Sequence, residues 1–175
     1  MSEYDAVIYD LDGTLVSLAV DWEQAYQDVV TAVQAEGIAV DSESLWELLD
    51  RSYAEDFAAT VEAVLAEHER EGARHSKQLP TAAELPRDEP VGVCSLNAAS
   101  ACQIALDSHG LAPHVKTVVG RDTVETYKPD PEPLLTAIRA LDATPENSLF
   151  VGDTKRDEQT AERAGVAFRY VQSRT

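Results

Sequence analysis

The stretch that decides the fold is residues 4–15, YDAVIYDLDGTL. Its first half, residues 4–9, is rich in β-branched and aromatic residues, which predicts a short strand. Asp10 and Asp12 follow at once, and residues two apart on an extended chain project to the same side. The stretch therefore predicts two carboxylates at the end of a strand, facing one pocket.

The charge of this pair limits what it can be. Two ionised carboxylates about 4 Å apart repel by roughly 4 kcal/mol at an effective dielectric of about 20. A folded protein can hold two such carboxylates close together only where a cation, a shared proton or wide access to solvent relieves the repulsion. Asp-Gly is also a common turn dipeptide, so Asp12-Gly13 alone leaves a solvated acidic turn as the alternative to a functional site.

The rest of the chain alternates between strand-like and helical patterns. Short strands are predicted at 91–95, 115–119, 148–151 and 167–171, and helices at 98–109, from 130 onward and over about 156–164. This alternation predicts an α/β fold, with a Rossmann-like open parallel sheet flanked by helices. In such a sheet the ligand site lies beyond the carboxyl ends of the strands.

Residues 17–79 have a different pattern of apolar residues, which is mostly helical. Apolar residues recur at helical spacing over 22–36 and again over 44–71, the second stretch being either continuous or broken. We therefore predict a small helical cap at 17–79, inserted after the first strand into a core formed by 1–16 and 80–175.

Three later segments place polar side chains at the ends of predicted strands. Ser95 ends the second strand, Lys128 follows the third, and Asp153 and Asp157 follow the fourth. The proline after Lys128 keeps that lysine extended and out of the next helix. Together these side chains offer carboxylates, a hydroxyl and an amine to one pocket, which suits a hard divalent cation and a phosphate group.

With these four motifs in this order, the chain resembles the haloacid dehalogenase-like hydrolase superfamily, specifically its phosphoglycolate phosphatase-like branch with a helical cap. The resemblance covers nearly the whole chain, and the DxDGTL and GDxxxD segments are its most specific parts. It implies that Asp10 is the nucleophile of a phosphatase and becomes an aspartyl-phosphate. Asp12 would protonate the leaving oxygen and then activate water as a base.

The resemblance also implies a cofactor, Mg²⁺. The ion would be held by the carboxylates of Asp10 and Asp153 and by the backbone carbonyl of Asp12, with Asp157 supporting the site. The substrate would be a small phosphorylated metabolite whose identity the sequence leaves open.

The same resemblance implies how phosphate is bound. Ser95 and Lys128 would hold the phosphoryl oxygens, and Gly13 and Thr14 would complete the loop around them. The chain departs from many relatives because Leu96, rather than an asparagine, follows the motif serine. We therefore do not expect Asn97, one position later, to contact phosphate.

The cap is also shorter than is usual in this branch. An open cleft of this kind admits bulky substrates or needs a second subunit to close it, so a homo-oligomer is one expectation. Charged residues of the cap region are expected on exposed surfaces rather than at the substrate. They are Arg51, His68, Arg70, Arg74, His75 and Lys77. The same is expected of Arg156 in the core.

Three alternatives to a phosphatase remain open at this point. A phosphomutase would keep the same nucleophile, and a phosphonate-cleaving relative would need a cap lysine, for which Lys77 is a poor candidate. A non-catalytic phospho-receiver-like domain would also gather aspartates and a lysine above a parallel sheet. Receiver domains do not place a DxDGT motif after the first strand, which favours the enzyme.

The charge composition of the chain excludes some classes of binding partner. The chain has 32 Asp and Glu against 14 Lys and Arg, a net charge of −18. Such a surface repels nucleic acid and anionic lipid, so neither is an expected partner. It is also typical of a cytoplasm with high salt, because the Debye length falls to about 3 Å near 1 M salt.

The sequence shows neither a membrane span nor a signal peptide, and this predicts the cellular compartment. No apolar run approaches the roughly 20 residues of a membrane span. The N-terminus lacks the basic and apolar parts of a signal peptide, so a cytoplasmic protein is expected. Cys94 and Cys102 are expected to be buried thiols in a reducing compartment.

Overall fold

The computed structural model describes residues 2–171. Its strands are β1 Ala6–Tyr9, β2 Val16–Ser17, β3 Lys77–Gln78, β4 Val91–Cys94, β5 Thr117–Val119, β6 Ser148–Gly152 and β7 Ala167–Tyr170. Its α-helices are α1 Trp22–Ala35, α2 Leu45–Ala54, α3 Ala58–Arg74, α4 Ala99–Ser108, α5 Glu132–Ala140 and α6 Lys155–Ala164. None of these helices is long and apolar enough to cross a bilayer.

Five strands form one sheet in the order β5-β4-β1-β6-β7, and every neighbouring pair is parallel. This confirms the predicted α/β fold with an open parallel sheet. The central strand β1 is buried over its whole length, and its side chains alternate between two apolar clusters. Val7 and Tyr9 belong to the cluster under α4, whereas Ala6 and Ile8 belong to the one under α5 and α6.

The helices α1, α2 and α3 surround an apolar cluster of their own. Its members include Val29 of α1, Leu48 of α2 and Leu65 of α3, all fully buried. The stretch predicted at 44–71 is broken between α2 and α3, where Asp56 has a positive φ of 64°. These helices therefore have an apolar core of their own. Each large side chain that is fully buried there adds about 1.5–3 kcal/mol to its stability.

The chain enters and leaves this helical part through two segments that bind each other. β2 and β3 pair antiparallel, with Val16 opposite Gln78. Ala19 N–H also donates to the carbonyl oxygen of Gly72 at 3.0 Å. The sequence analysis missed this small sheet, because strands of two residues are too short to show an alternating pattern. The predicted cap limits at 17 and 79 stay a prediction.

Both cysteines are free and buried, as expected. Burial raises the pKa of the Cys94 and Cys102 thiols to about 12, so neither is ionised near neutral pH. Buried neutral thiols act as small apolar residues.

Candidate active site

The predicted site residues lie in the loops that follow β1, β4, β5 and β6 or, for Asp157, in the first turn of α6, so all of them lie at the carboxyl edge of the sheet. The structure brings three of them into direct contact. Lys128 Nζ lies 2.9 Å from Asp10 Oδ1 and 2.6 Å from Asp157 Oδ1. It also donates to the Cys94 carbonyl oxygen at 3.2 Å. All three charged side chains are buried.

Burial and charge set the protonation of this cluster. Burial raises the pKa of Asp10 well above its ordinary value, Lys128 lowers it, and Asp157 raises it. Burial by itself lowers the pKa of Lys128, but the negative charges of Asp10 and Asp157 outweigh burial and raise the pKa above its usual range. The lysine is therefore held as a cation beside Asp10.

Three carboxylates form a group that fits a hard cation. Oxygen atoms of Asp10, Asp153 and Asp157 lie within 4.8 Å of one another. Asp153 Oδ1 is buried and has no hydrogen-bond partner within residues 2–171. An orphaned carboxylate oxygen is costly, and an all-oxygen donor set is the one that Mg²⁺ prefers. The residues present therefore fit this ion.

Asp157 has a separate task in the group. Its Oδ2 accepts hydrogen bonds from the backbone N–H groups of Asp153 and Thr154, each at 3.3 Å. The Thr154 hydroxyl in turn accepts from Asp157 N–H, which completes a capping box at the start of α6. Asp157 thus fixes the loop that carries Asp153.

Gly13 leaves room for Asp153. Its φ is +86°, a left-handed conformation that side chains disfavour, and a Cβ built on it would lie 2.0 Å from Asp153 Oδ2. Thr14 lies next to it and donates from Oγ1 to Asp10 Oδ2 at 3.3 Å. The glycine and threonine therefore support the two carboxylates.

Asp12 is placed differently from Asp10. It is partly exposed, lines the cavity described below, and its Oδ1 accepts a hydrogen bond from Leu18 N–H at 2.9 Å. Burial raises the pKa of Asp12, the Leu18 N–H lowers it, and the charges of Asp153 and Glu69 raise it further. A carboxyl group with a raised pKa can carry a proton to a leaving group.

Ser95 is tied to residues that the sequence analysis did not select. Its hydroxyl donates to Asn97 Oδ1 at 3.0 Å, and Asn97 Nδ2 donates to Glu69 Oε2 at 2.9 Å. Arg121 donates to both oxygens of Glu69, at 2.8 and 2.9 Å, and to the Leu96 carbonyl oxygen at 2.7 Å. The loop after β4 is therefore held by a buried ion pair between α3 and the loop after β5.

The sequence held one signal for this network. Glu69 lies on the buried stripe of α3, between Leu65 and Ala73, where a charge needs a partner. Nothing in the local sequence identifies Arg121 as that partner, because the two residues are distant along the chain.

A cavity of about 520 Å³ opens over these groups. Its lining comprises Asp10, Asp12, Trp22, Trp46, Leu96, Asn97, Lys128, Thr154, Lys155, Arg156 and Asp157. Among the described residues, the lining leaves out four predicted site residues, which are Gly13, Thr14, Ser95 and Asp153. Asn97, which was not expected at the site, does line it.

The charged cap residues named from the sequence do not line this cavity. Arg51 pairs with Glu43 and Glu55, and Lys77 is exposed on β3. The helices α1 and α2 instead contribute two aromatic residues to the lining, Trp22 and Trp46. Arg156, expected on an exposed surface, is half-buried and lines the cavity, with its guanidinium carbon 5.6 Å from the centre of the Trp46 ring.

Comparison with known proteins places this geometry in context. The profile of a family described as haloacid dehalogenase-like hydrolase matches residues 7–171. The chain is 29% identical over 194 residues to N-acetylmuramic acid 6-phosphate phosphatase of Pseudomonas putida, covering 94% of this chain and 82% of the relative. It is 32% identical over 184 residues to phosphoglycolate phosphatase of Rhodospirillum rubrum, covering 92% and 76%.

Solved structures show the same fold. A haloacid dehalogenase-superfamily hydrolase of Geobacter sulfurreducens is 26% identical, with a TM-score of 0.65 over 94% of this chain and 88% of that one. CbbY of Rhodobacter sphaeroides, solved with phosphate, is 18% identical, with a TM-score of 0.68 over 97% and 87%. At that identity the second match shows the fold alone.

Proposed function

Because the chain belongs to the haloacid dehalogenase-like hydrolase family, as the motifs predicted, we propose that it is a Mg²⁺-dependent phosphatase that forms an aspartyl-phosphate on Asp10. The observation that carries the proposal is the contact of Lys128 Nζ with Asp10 Oδ1 at 2.9 Å, in a buried site that also holds Asp153 and Asp157. The substrate is a small phosphorylated metabolite, in keeping with relatives named for N-acetylmuramic acid 6-phosphate and phosphoglycolate.

Asp10 supplies the nucleophile. One of its carboxylate oxygens attacks phosphorus while the bond from phosphorus to the leaving oxygen breaks. Lys128 lowers the pKa of Asp10 against the larger effect of burial, and its positive charge offsets that of the incoming phosphate. The hydrogen bond from Thr14 limits rotation of the attacking group.

Asp12 moves the protons. In its acid form it gives a proton to the leaving oxygen, so the alcohol departs neutral. The resulting carboxylate then takes a proton from a water molecule that attacks the aspartyl-phosphate, which releases inorganic phosphate and restores Asp10. The hydrogen bond from Leu18 N–H fixes the position of Asp12 for both steps.

Asp10, Asp153 and the Asp12 backbone carbonyl would hold Mg²⁺, with Asp157 supporting their loop. When bound, the ion neutralises phosphate oxygens and the carboxylates around them. Lys128 alone offers one positive charge against the carboxylates of Asp10, Asp153 and Asp157, so the site retains negative charge for a cation to balance.

Metal removal is expected to abolish hydrolysis of p-nitrophenyl phosphate. Added Mg²⁺ should restore the rate. It should also raise the unfolding temperature, because at a hundred times the dissociation constant it adds about 2.7 kcal/mol to the free energy of unfolding. Ca²⁺ should inhibit, because its looser coordination misplaces the nucleophile. Full activity in excess chelator would contradict the proposal.

Gly13→Ala is expected to weaken Mg²⁺ binding and hydrolysis by about tenfold or more, because the added methyl displaces Asp153. The matched control is Gly37→Ala. Gly37 also has a positive φ, of +81°, but its Cβ would meet no atom within 4 Å. Both variants carry a similar backbone strain of about 1–2 kcal/mol. Rates and Mg²⁺ titrations on the pair isolate the contact with Asp153, and equal effects would contradict it.

The family alternatives are separated by their products. A phosphomutase returns the phosphoryl group to an organic acceptor, whereas a phosphatase releases inorganic phosphate in proportion to the alcohol. A phosphonate-cleaving enzyme needs a lysine of the cap in the cavity. Lys77 is exposed and lies outside the cavity lining, which favours the phosphatase.

A further inference from the structure

Two tryptophans form an apolar part of the cavity wall. Trp22 begins α1 and Trp46 lies in the first turn of α2, with ring centres 6.0 Å apart and planes tilted by 51°. The phosphoryl group must lie at Asp10 and Lys128 if the proposed function holds. The tryptophans are then left to contact the alcohol part of the substrate, and aromatic faces bind planar or ring-shaped groups well.

Arg156 adds a positive charge beside this wall. It is half-buried, and its guanidinium packs on the Trp46 ring. Within residues 2–171 no carboxylate lies in ion-pair distance of it, although acidic residues outnumber basic ones by 32 to 14. Most arginines of that part of the chain do have carboxylate partners. This contact with the Trp46 ring uses none of the guanidinium's N–H groups as conventional hydrogen-bond donors, so they can bind a ligand.

An unpaired guanidinium in a cavity is a receptor for an anion. Its N–H groups match the two oxygens of a carboxylate or phosphate, and such bonds are about twice as strong as those between neutral groups. The protein as a whole repels anions, so a local cation at the cavity has a specific use.

We propose that Arg156, Trp22 and Trp46 form a subsite for the leaving group, which selects phosphate monoesters whose alcohol carries an oxyanion on a planar or ring-shaped body. This inference rests on the proposed function, and it adds the substrate class. The oxyanion is either a carboxylate or a second phosphate, because a guanidinium binds both in the same geometry.

Two matched substrates test the subsite. 4-Carboxyphenyl phosphate and 4-carbamoylphenyl phosphate have nearly the same size and shape, but only the first carries the extra charge. We expect kcat/KM to favour the carboxylate about tenfold or more in the unsubstituted protein, and Arg156→Met to bring the ratio to about one. 1,4-Phenylene bisphosphate, as a third substrate, shows whether phosphate is preferred to carboxylate.

Arg163→Met is the control variant. Arg163 lies on the same helix, is exposed, and donates only to the Pro129 carbonyl oxygen among its described contacts. It should keep both the rate and the preference for the carboxylate. A ratio near one in the unsubstituted protein, or an unchanged ratio in Arg156→Met, would overturn the subsite even where hydrolysis is rapid.

A binding measurement separates the subsite from the chemistry. Quenching of tryptophan fluorescence in the Asp10→Asn variant reports binding of both aryl phosphates without turnover. If the unsubstituted protein hydrolyses neither compound but binding still favours the carboxylate through Arg156, the proposed function fails and the subsite stands. If binding shows no preference, the subsite fails whatever the rate.

Discussion

Asp10→Asn is expected to lower kcat for p-nitrophenyl phosphate by at least about a thousandfold, because a neutral amide cannot attack phosphorus. The fold should survive the change. Lys128 keeps its contact with Asp157, and one of three clustered negative charges is removed. Circular dichroism and thermal unfolding of the variant check this directly.

Asp5→Asn supplies the matched control for that substitution. Asp5 is exposed and immediately precedes β1, so it has the same change of charge close by in sequence but outside the cavity lining. The control should hydrolyse at the rate of the unsubstituted protein. Retention of activity by Asp10→Asn, with the metal requirement intact, would remove Asp10 from the mechanism.

Arg121→Met is expected to lower the free energy of unfolding by about 3–5 kcal/mol, because buried Glu69 and partly buried Glu62 both lose Arg121 as their charge partner. The same change removes the hydrogen bond to the Leu96 carbonyl oxygen, so the loop that carries Ser95 should loosen. Denaturant unfolding measures the loss of stability. A higher KM for p-nitrophenyl phosphate would show that the loop carrying Ser95 has loosened.

Arg139→Met is the comparison for this second substitution. Arg139 pairs with Glu132 on the surface, where both side chains are about half exposed, so its loss should cost at most about 1 kcal/mol. The double variant Arg121→Met/Glu69→Gln should recover part of the stability, since the amide removes the buried charge and its oxygen can still accept from Asn97 Nδ2. Similar losses in Arg121→Met and Arg139→Met would show that the buried pair has no special role.

Much of the core was predictable because two regularities govern it. The apolar run that ends at Tyr9 and the helical stripes that follow the later strands required a parallel sheet, and a parallel sheet gathers its loops at one edge. Asp10, Lys128 and Asp157 meet there for that reason. Topology accounts for the shared edge, and the distances of 2.9 and 2.6 Å between their side chains are what the structure adds.

The residues that the sequence analysis missed depend on contacts between distant segments. Arg121 and Glu69 are fifty-two positions apart, and neither has a local pattern that names the other. Arg156 was expected on the surface because charges on a helix usually are. Its position at the cavity depends on how α2 packs near α6, which places Trp46 against it.

The central claim is that the carboxylate of Asp10 becomes covalently phosphorylated, and chemical trapping tests it most directly. Borohydride reduces an aspartyl-phosphate to homoserine, which peptide mass spectrometry locates along the chain. Quenching the protein during turnover of p-nitrophenyl phosphate with Mg²⁺ should yield homoserine at position 10. Phosphate found on a hydroxyl of Ser95 or Thr14, or no covalent adduct under conditions of rapid turnover, would contradict the account.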